Sequence, residues 1–531
     1  MALTSLPLEI IDLILAHLWF PWDVLHLSLT CRLLSHSAEP YLYRNIEFLP
    51  RKDGNILRSF TSLLLAKPTI AKYVRRFEDT SQSLHAWNIP WKPSFNEDKC
   101  VERFGQAVSA FDIHEQDHLS WIRDFWATAS SEGFEMYSGS QTIRSYSIKR
   151  DPEHGLFFAL FTKLQELRVF YYRGDNYFRR ALAGASKSIA PFQTSFQHLR
   201  NVHLYSNDVE DPIPFEDVWQ LFTLSTIRQI ILEIFSAVDP TADFLEPNSS
   251  LVETLQLIRA NSLPDSLDHI LRACSKLRRL EYDHVEVSGA QEPWDRERFN
   301  ASLLHVSASL ETFRLSFTDY GVYEIGSFIL DSFAAFGSLK HIDTTVDALF
   351  PLDAAHHSWT MLFPCPEKCA ETVEAASKWA KQMPPVLETL YISQFDGDTM
   401  ASLIAVTYLC ELIRLKPKNT PHLRKIALVD IVLPFDLIKG MCATSSKSST
   451  PNSRGNGSQL FWATLTKLEI VDFDKLRYEA SAVGVELIIQ EKNIREDSST
   501  PSLERDCPER DSPGLQRNRK EQDTFTGSLQ R

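Results

Sequence analysis

Residues 251–285 read LVETLQLIRANSLPDSLDHILRACSKLRRLEYDHV. Val252, Leu255 and Leu257 follow the pattern apolar-x-x-apolar-x-apolar, and Leu277, Leu280 and Tyr282 repeat it 25 residues later. Alternate residues of a strand face opposite ways, so Leu255 and Leu257 point to one side and their neighbours to the other. The intervening LPDSLDHILRACSKL carries apolar residues at helical spacing. Short strand, helix, short strand predicts parallel strands joined by crossover helices.

The same triplet recurs along the chain. It appears at Leu164/Leu167/Val169, Leu199/Val202/Leu204, Ile227/Ile230/Leu232 and Leu310/Phe313/Leu315. Leu339/Ile342 follows with Thr344 as a weaker third member, then Leu387/Leu390/Ile392, Leu423/Ile426/Leu428 and Leu465/Leu468/Ile470. Val74 and Phe77, preceded by the helix-like ILRSFTSLLLAK, form an earlier unit over residues 54–82. Consecutive starts from Leu164 fall 25 to 48 residues apart. Leucine-rich repeats run about 20–29 residues, so most of these units hold a full helix and a variable loop. The expected fold is α/β: an irregular leucine-rich-repeat solenoid over residues 156–492, with a curved parallel sheet lined by helices. A plain α/β domain is the alternative.

The N-terminal residues 6–46 read LPLEIIDLILAHLWFPWDVLHLSLTCRLLSHSAEPYLYRNI. Ser5 can cap a first helix with Pro7 in its first turn. Asp23 can cap a second helix, and a third runs from Thr30 to just before Pro40. Three helices in about forty residues cannot enclose a self-sufficient core. Such a unit needs a partner's groove, unless it is a small cap on the repeats. Residues 1–48 resemble an F-box: Leu6, Pro7, Glu9 and Ile10 fit its opening, Asp23 its acidic turn, Leu29 to Arg32 its hydrophobic-x-x-Cys-Arg segment with one residue fewer, and Pro40, Leu42, Tyr43 and Arg44 its close. Trp19, Phe20 and Trp22 depart from it, in a turn that is usually more polar.

Together the two patterns resemble F-box proteins with degenerate leucine-rich repeats of the fungal type, which are substrate receptors of SCF ubiquitin ligases. The resemblance implies docking to a Skp adaptor, and through it a cullin, by Leu6, Pro7, Ile10, Ile14, Leu25, Leu29, Cys31 and Leu34. It implies target binding by the repeats and no catalysis by this chain. A repeat scaffold that binds partners without promoting ubiquitination stays open, as does an enzyme hidden in an insertion at residues 83–150, where CVERFGQAVSAF and HLSWIRDFWATA read as helices.

Residues between the buried strand positions face the concave side of a solenoid. Here these include Glu78, Arg168, Phe170, His203, Tyr205, Ile231, Glu233, Gln256, Ile258, Glu281, Asp283, Arg314, Asp343, Tyr391 and Glu469. Arg168, Phe170, Tyr205, Glu233, Glu281, Asp283, Arg314 and Tyr391 are the candidate target contacts, since aromatics and Arg favour hot spots. The acidic excess predicts a partner with a basic segment.

The formal net charge of −14 lacks the basic footprint of a nucleic-acid binder and disfavours anionic lipid. No apolar run is long enough to span a membrane. IIDLILAHLWF lacks a signal peptide's basic start, which predicts a cytoplasmic or nuclear protein. The eight cysteines are sparse, as in a reduced compartment. No nucleotide-loop, hydrolase or zinc-protease motif occurs, and no cofactor is expected. His356, His357, Cys365 and Cys369 lack standard zinc spacing and read as a surface loop. Residues 443–459 and 493–531 read as a disordered loop and a disordered tail.

Overall fold

The computed structural model describes residues 6–18, 20–48, 56–80, 102–107, 151–171, 176–189, 192–206, 212–237, 245–262, 264–285, 296–317, 333–350, 366–393, 399–431 and 473–491. The loop 443–459, the tail 493–531, the triplet at Leu465–Ile470 and most of the 83–150 segment lie outside these residues.

Three helices open the chain: α1 (Leu8–His17), α2 (Pro21–Ser28) and α3 (Arg32–Leu42). Their shared core is small, with Ile11, Leu15, Val24, Leu34 and Ala38 as its buried residues. The helix starts differ from the sequence expectation. Pro7 and Phe20 occupy the first two N-cap positions, without a side-chain cap, and Asp23 sits in the first turn of α2. α3 also runs through Pro40. The N–H that proline lacks would have met the carbonyl of His36, which is exposed on the last turns, so water can replace it.

Fourteen parallel strands follow among the described residues. They are β1 (Asn45–Phe48), β2 (Arg76–Asp79), β3 (Glu166–Phe170), β4 (Asn201–Tyr205), β5 (Ile213–Pro214), β6 (Gln229–Glu233) and β7 (Phe235–Ala237). Then come β8 (Thr254–Ser262), β9 (Arg279–His284), β10 (Thr312–Phe317), β11 (His341–Thr345), β12 (Thr389–Ser393), β13 (Lys425–Ile431) and β14 (Glu486–Glu491). Twelve of them pair in chain order into one curved sheet, while β5 and β7 form a short side ladder against β8.

Register explains the triplet. Phe77, Leu167, Val202, Ile230, Leu255, Leu280, Phe313, Ile342, Leu390 and Ile426 align rung to rung and are all buried. Burying each such side chain stabilises by about 1.5–3 kcal/mol. The triplet's first members, from Leu164 to Leu423, are buried just before their strands. Crossover helices close the other side: Pro264–Ala273 buries Leu267, Ile270 and Leu271 at i, i+3 and i+4. Cys274, just after it, is fully buried, which pushes its thiol up to about 12, as expected of a packing residue.

Two strands of the main sheet escaped the sequence reading, as did both short strands of the side ladder. β1 has only Ile46 and Phe48 as apolar residues, and its partner β2 sits across a helix. At the far end β14 pairs with β13 through Leu487 and Ile489, after the helix Phe473–Ala482. The N-terminal end is closed by aromatic rings: Phe77 contacts Phe48 and Phe157 with centroids 5.8 and 5.5 Å apart, and Phe157 stacks on Phe161 at 5.5 Å. Phe104, from the short described part of the insertion, is buried in this same core. Against Phe77 a buried His154 lies 3.0 Å from Asp79.

Thr344 holds a triplet position that leucine, isoleucine, valine or tyrosine fills in the repeats from Leu164 onward. It is buried, and its hydroxyl has no hydrogen-bond partner among the described residues. Thr344→Val keeps the shape and removes the unsatisfied group, so it is expected to stabilise by about 1–2 kcal/mol, read as a raised urea midpoint with unchanged slope. Arg259 sits in β8 at φ 52°, in the left-handed region. Its side chain is exposed, so Arg259→Gly is expected to gain about 0.5–1 kcal/mol in the same assay.

Candidate interaction surfaces

The first surface lies on the N-terminal helices. Leu8, Ile10, Leu13, Phe20, Trp22, Leu29 and Leu33 are exposed there, Leu29 by 74%. Only four other large apolar residues are exposed among the described residues: Ile189, Leu304, Val373 and Tyr478. Scattered exposed apolar residues are ordinary, but a concentration on one small element marks an interaction site.

Of the residues expected to meet an adaptor, Pro7, Ile10 and Leu29 are exposed, while Leu6, Ile14, Leu25 and Cys31 are half-buried. Leu34 is buried in the bundle core, so it can only support the others. Leu8, Leu13 and Leu33 were missed. Their helical positions were readable, but which face the tiny core leaves uncovered was not.

The bundle is joined to the sheet by backbone and side-chain contacts. The carbonyl of Arg44 accepts N–H bonds from both Arg75 and Arg76, at 2.8 and 3.1 Å. Lys67 pairs with Glu39 of α3 at 2.6 Å. A cleft of about 380 Å³ remains between the two parts, bounded by Leu15, Leu18, Val24 and Leu42 on one side and Arg44, Arg75 and Glu166 on the other.

The second surface is the outward row of the sheet. Glu47, Glu78, Arg168, His203, Ile231, Gln256, Glu281, Arg314, Asp343 and Tyr391 line up along it. The next outward row includes Tyr205, Glu233, Ile258 and Asp283. Glu469 lies outside the described residues.

Its charges are organised in two clamps. Glu78 accepts from Arg76 at 2.8 Å and from Arg168 at 3.0 Å. Glu281 accepts from Arg279 at 3.3 Å and from Arg314 at 2.7 Å. In each clamp the carboxylate is sunk and the guanidinium groups lie on top. The side chains of Glu78 and Glu281 are 4% and 11% exposed, against 48% and 43% for Arg76 and Arg168, and 51% and 50% for Arg279 and Arg314.

Three further outward carboxylates are also engaged, while Glu47 at the end of the row is exposed. Glu233 meets His203 at 2.6 Å, Asp343 meets Arg314 at 3.5 Å, and Asp283 accepts from Ser316 at 2.8 Å. Most of the acids on this face thus meet a cationic or hydroxyl neighbour. Counting residue types along the row missed that Glu78 and Glu281 are tied to arginines and that Arg76 and Arg279, two residues earlier on the same face, join the surface.

Two other expected contacts change role. Glu281 belongs to a clamp, and Phe170 is buried with its ring edge-on to Tyr205 at 5.2 Å. Tyr205 is held by its hydroxyl, which donates to the carbonyl of Asp79 at 2.9 Å, and Arg168 lies over its ring at 5.8 Å. Burial pushes its phenol well above the ordinary range. Tyr391 has Lys425 over its ring at 5.2 Å.

Repeating parallel strands with crossover helices and one row of aligned apolar residues are the architecture of leucine-rich repeats, and the leucine-rich repeat domain family matches residues 163–443. This chain belongs to that family. No curated protein matches it. Leucine-rich repeats are interaction scaffolds, and the match runs from just before β3 to beyond β13, so it includes the second clamp and Arg168 of the first. The N-terminal helices precede it.

Among the described residues no group of His, Cys, Asp or Glu is placed to hold a metal, and no helix is long and apolar enough to cross a membrane. His356, His357 and Cys365 lie outside those residues, as does the side chain of Cys369.

The His203–Glu233 pair offers a direct check. The hydrogen bond from His203 holds the Glu233 carboxyl below the ordinary carboxylate range. A depressed acid contributes stability that is full above its unfolded pKa of about 4.3 and is lost as pH falls through its folded value. Glu233→Gln is therefore expected to lower stability at pH 6 to 7 and to have little effect near pH 3, measured by chemical unfolding at each pH.

Proposed function

We propose that this protein is the substrate-recognition subunit of an SCF-type ubiquitin ligase, its N-terminal helices acting as an F-box that binds a Skp adaptor and its repeats binding a target protein. The observation that carries the reading is the concentration of exposed apolar side chains on a three-helix unit with only five buried core residues. Burying Ile10, Leu13, Leu29 and Leu33 in a partner's groove removes them from water, at about 25 cal/mol per Å². The F-box resemblance of residues 1–48 names the partner, and the cullin follows through the adaptor.

Arg168, Tyr205, Asp283, Arg314 and Tyr391 form the target-facing surface, with Glu233 tied to His203 at its middle. In this function the protein does no bond chemistry. It raises the effective concentration of target lysines near the loaded conjugating enzyme. The hydrogen bonds at Arg44 suit that task, because they tie the N-terminal helices directly to the first strands of the sheet. The protein works in the cytoplasm or nucleus, where that machinery resides.

The test is co-purification of the full chain with a Skp adaptor. The double variant Ile10→Asp, Leu29→Asp is expected to lose at least tenfold in affinity, or about 1.4 kcal/mol. Its unfolding temperature is expected to stay near wild type, since both side chains are exposed. Failure of the wild-type chain to bind the adaptor would remove the F-box reading. Adaptor binding without any target turnover in cells would favour a scaffold that binds partners without promoting ubiquitination.

A further inference from the structure

The two clamps have the same construction on separate parts of the sheet. Each places two arginines from adjacent or same-strand positions over one sunken glutamate: Arg76 and Arg168 over Glu78, Arg279 and Arg314 over Glu281. A guanidinium has five N–H donors in a fixed fork. Arg168 and Arg279 each spend one donor on their glutamate, at 3.0 and 3.3 Å. Sunken glutamates hold the arginines in place before any ligand arrives, which lowers the ordering cost of binding.

The clamps lie five strand steps apart, from β2–β3 to β9–β10. At roughly 4.8 Å per step the separation is about 24 Å. An extended chain covers that distance in about seven residues. Between the clamps the surface is partly apolar, with half-buried Ile231, Gln256 and Ile258, and the Glu233 carboxylate there is tied to His203. Asp343, beside the second clamp, pairs with Arg314 at 3.5 Å.

We propose that this face binds an extended peptide segment with acidic residues at two places about seven residues apart and apolar residues between, each acidic place held by one arginine clamp. This deepens the target-binding half of the proposed function and rests on the repeats being its target-binding part. The bonds are charge-assisted and forked, the geometry in which arginine exceeds lysine.

The probe is a fluorescein-labelled peptide with a glutamate pair at each end and an Ile-Ser-Ile centre, the pairs about seven residues apart. Anisotropy is read on the full chain, with counterparts carrying glutamine or lysine in place of glutamate. Saturable binding of the glutamate peptide is expected, at least tenfold tighter than the glutamine peptide and weaker in higher salt. Arg168→Lys and Arg314→Lys keep a cation over each glutamate, so the fold is expected to hold, checked by thermal unfolding. Each is expected to weaken the glutamate peptide at least threefold.

Equal binding of the glutamine peptide, tighter binding of the lysine peptide, no saturable binding, or unchanged affinity in both lysine variants would overturn the proposal. Adaptor co-purification on the same samples separates the two readings. Peptide binding without adaptor binding strikes the F-box alone, and adaptor binding without peptide binding strikes the clamps alone.

Discussion

A single ladder of shared carbonyls holds this molecule in register. The Arg44 carbonyl accepts from Arg75 and Arg76, the Arg75 carbonyl from Gln165 and Glu166, and the Gln165 carbonyl from Arg200 and Asn201. The pattern continues through Arg228, Glu253, Arg278, Glu311, Lys340 and Glu388, where Arg424 and Lys425 donate. Each rung fixes the residue before a strand, and the strand's alternation then decides which side chains are core and which are surface. A slip of one residue at any rung would turn an apolar row outward. The apolar rows and the arginine clamps are two faces of the same registration.

The ladder also explains why the repeats tolerate such uneven lengths. Between rungs the chain may take any route that returns at the right place, and its cost grows slowly with length. One interval is a single ten-residue helix, Pro264–Ala273. Another holds the 21-residue helix Thr399–Asn419. What must recur is the triplet that plugs the core and the carbonyl that accepts two N–H groups.

The fold was largely readable for this reason. A triplet of apolar residues is a local signal, so the nine strands from Leu167 to Leu428 that carry one on the main sheet were visible in sequence. β1 and β14 were not, because one has four residues and the other follows residues without a clear triplet. The N-terminal helices were readable as helices, but their starts were misplaced by capping residues that proline and phenylalanine took instead. The surfaces were less legible. Whether Phe170 is a contact or a support depends on how deep it lies, and whether Glu78 and Glu281 attract a cation depends on arginines one strand away. Neither depth nor cross-strand partners are written in linear spacing.

Because the ladder begins at Arg44, the N-terminal helices meet the sheet directly at its first rung. Distance from them to any point on the concave face is counted in strands, at roughly 4.8 Å each. Inserting or deleting one repeat ahead of β9 would move the second clamp by one such step and also turn it by the sheet's twist, leaving the first clamp where it was. Reach and orientation are thus geared together in this chain, and the spacing of what it holds can change only in whole notches.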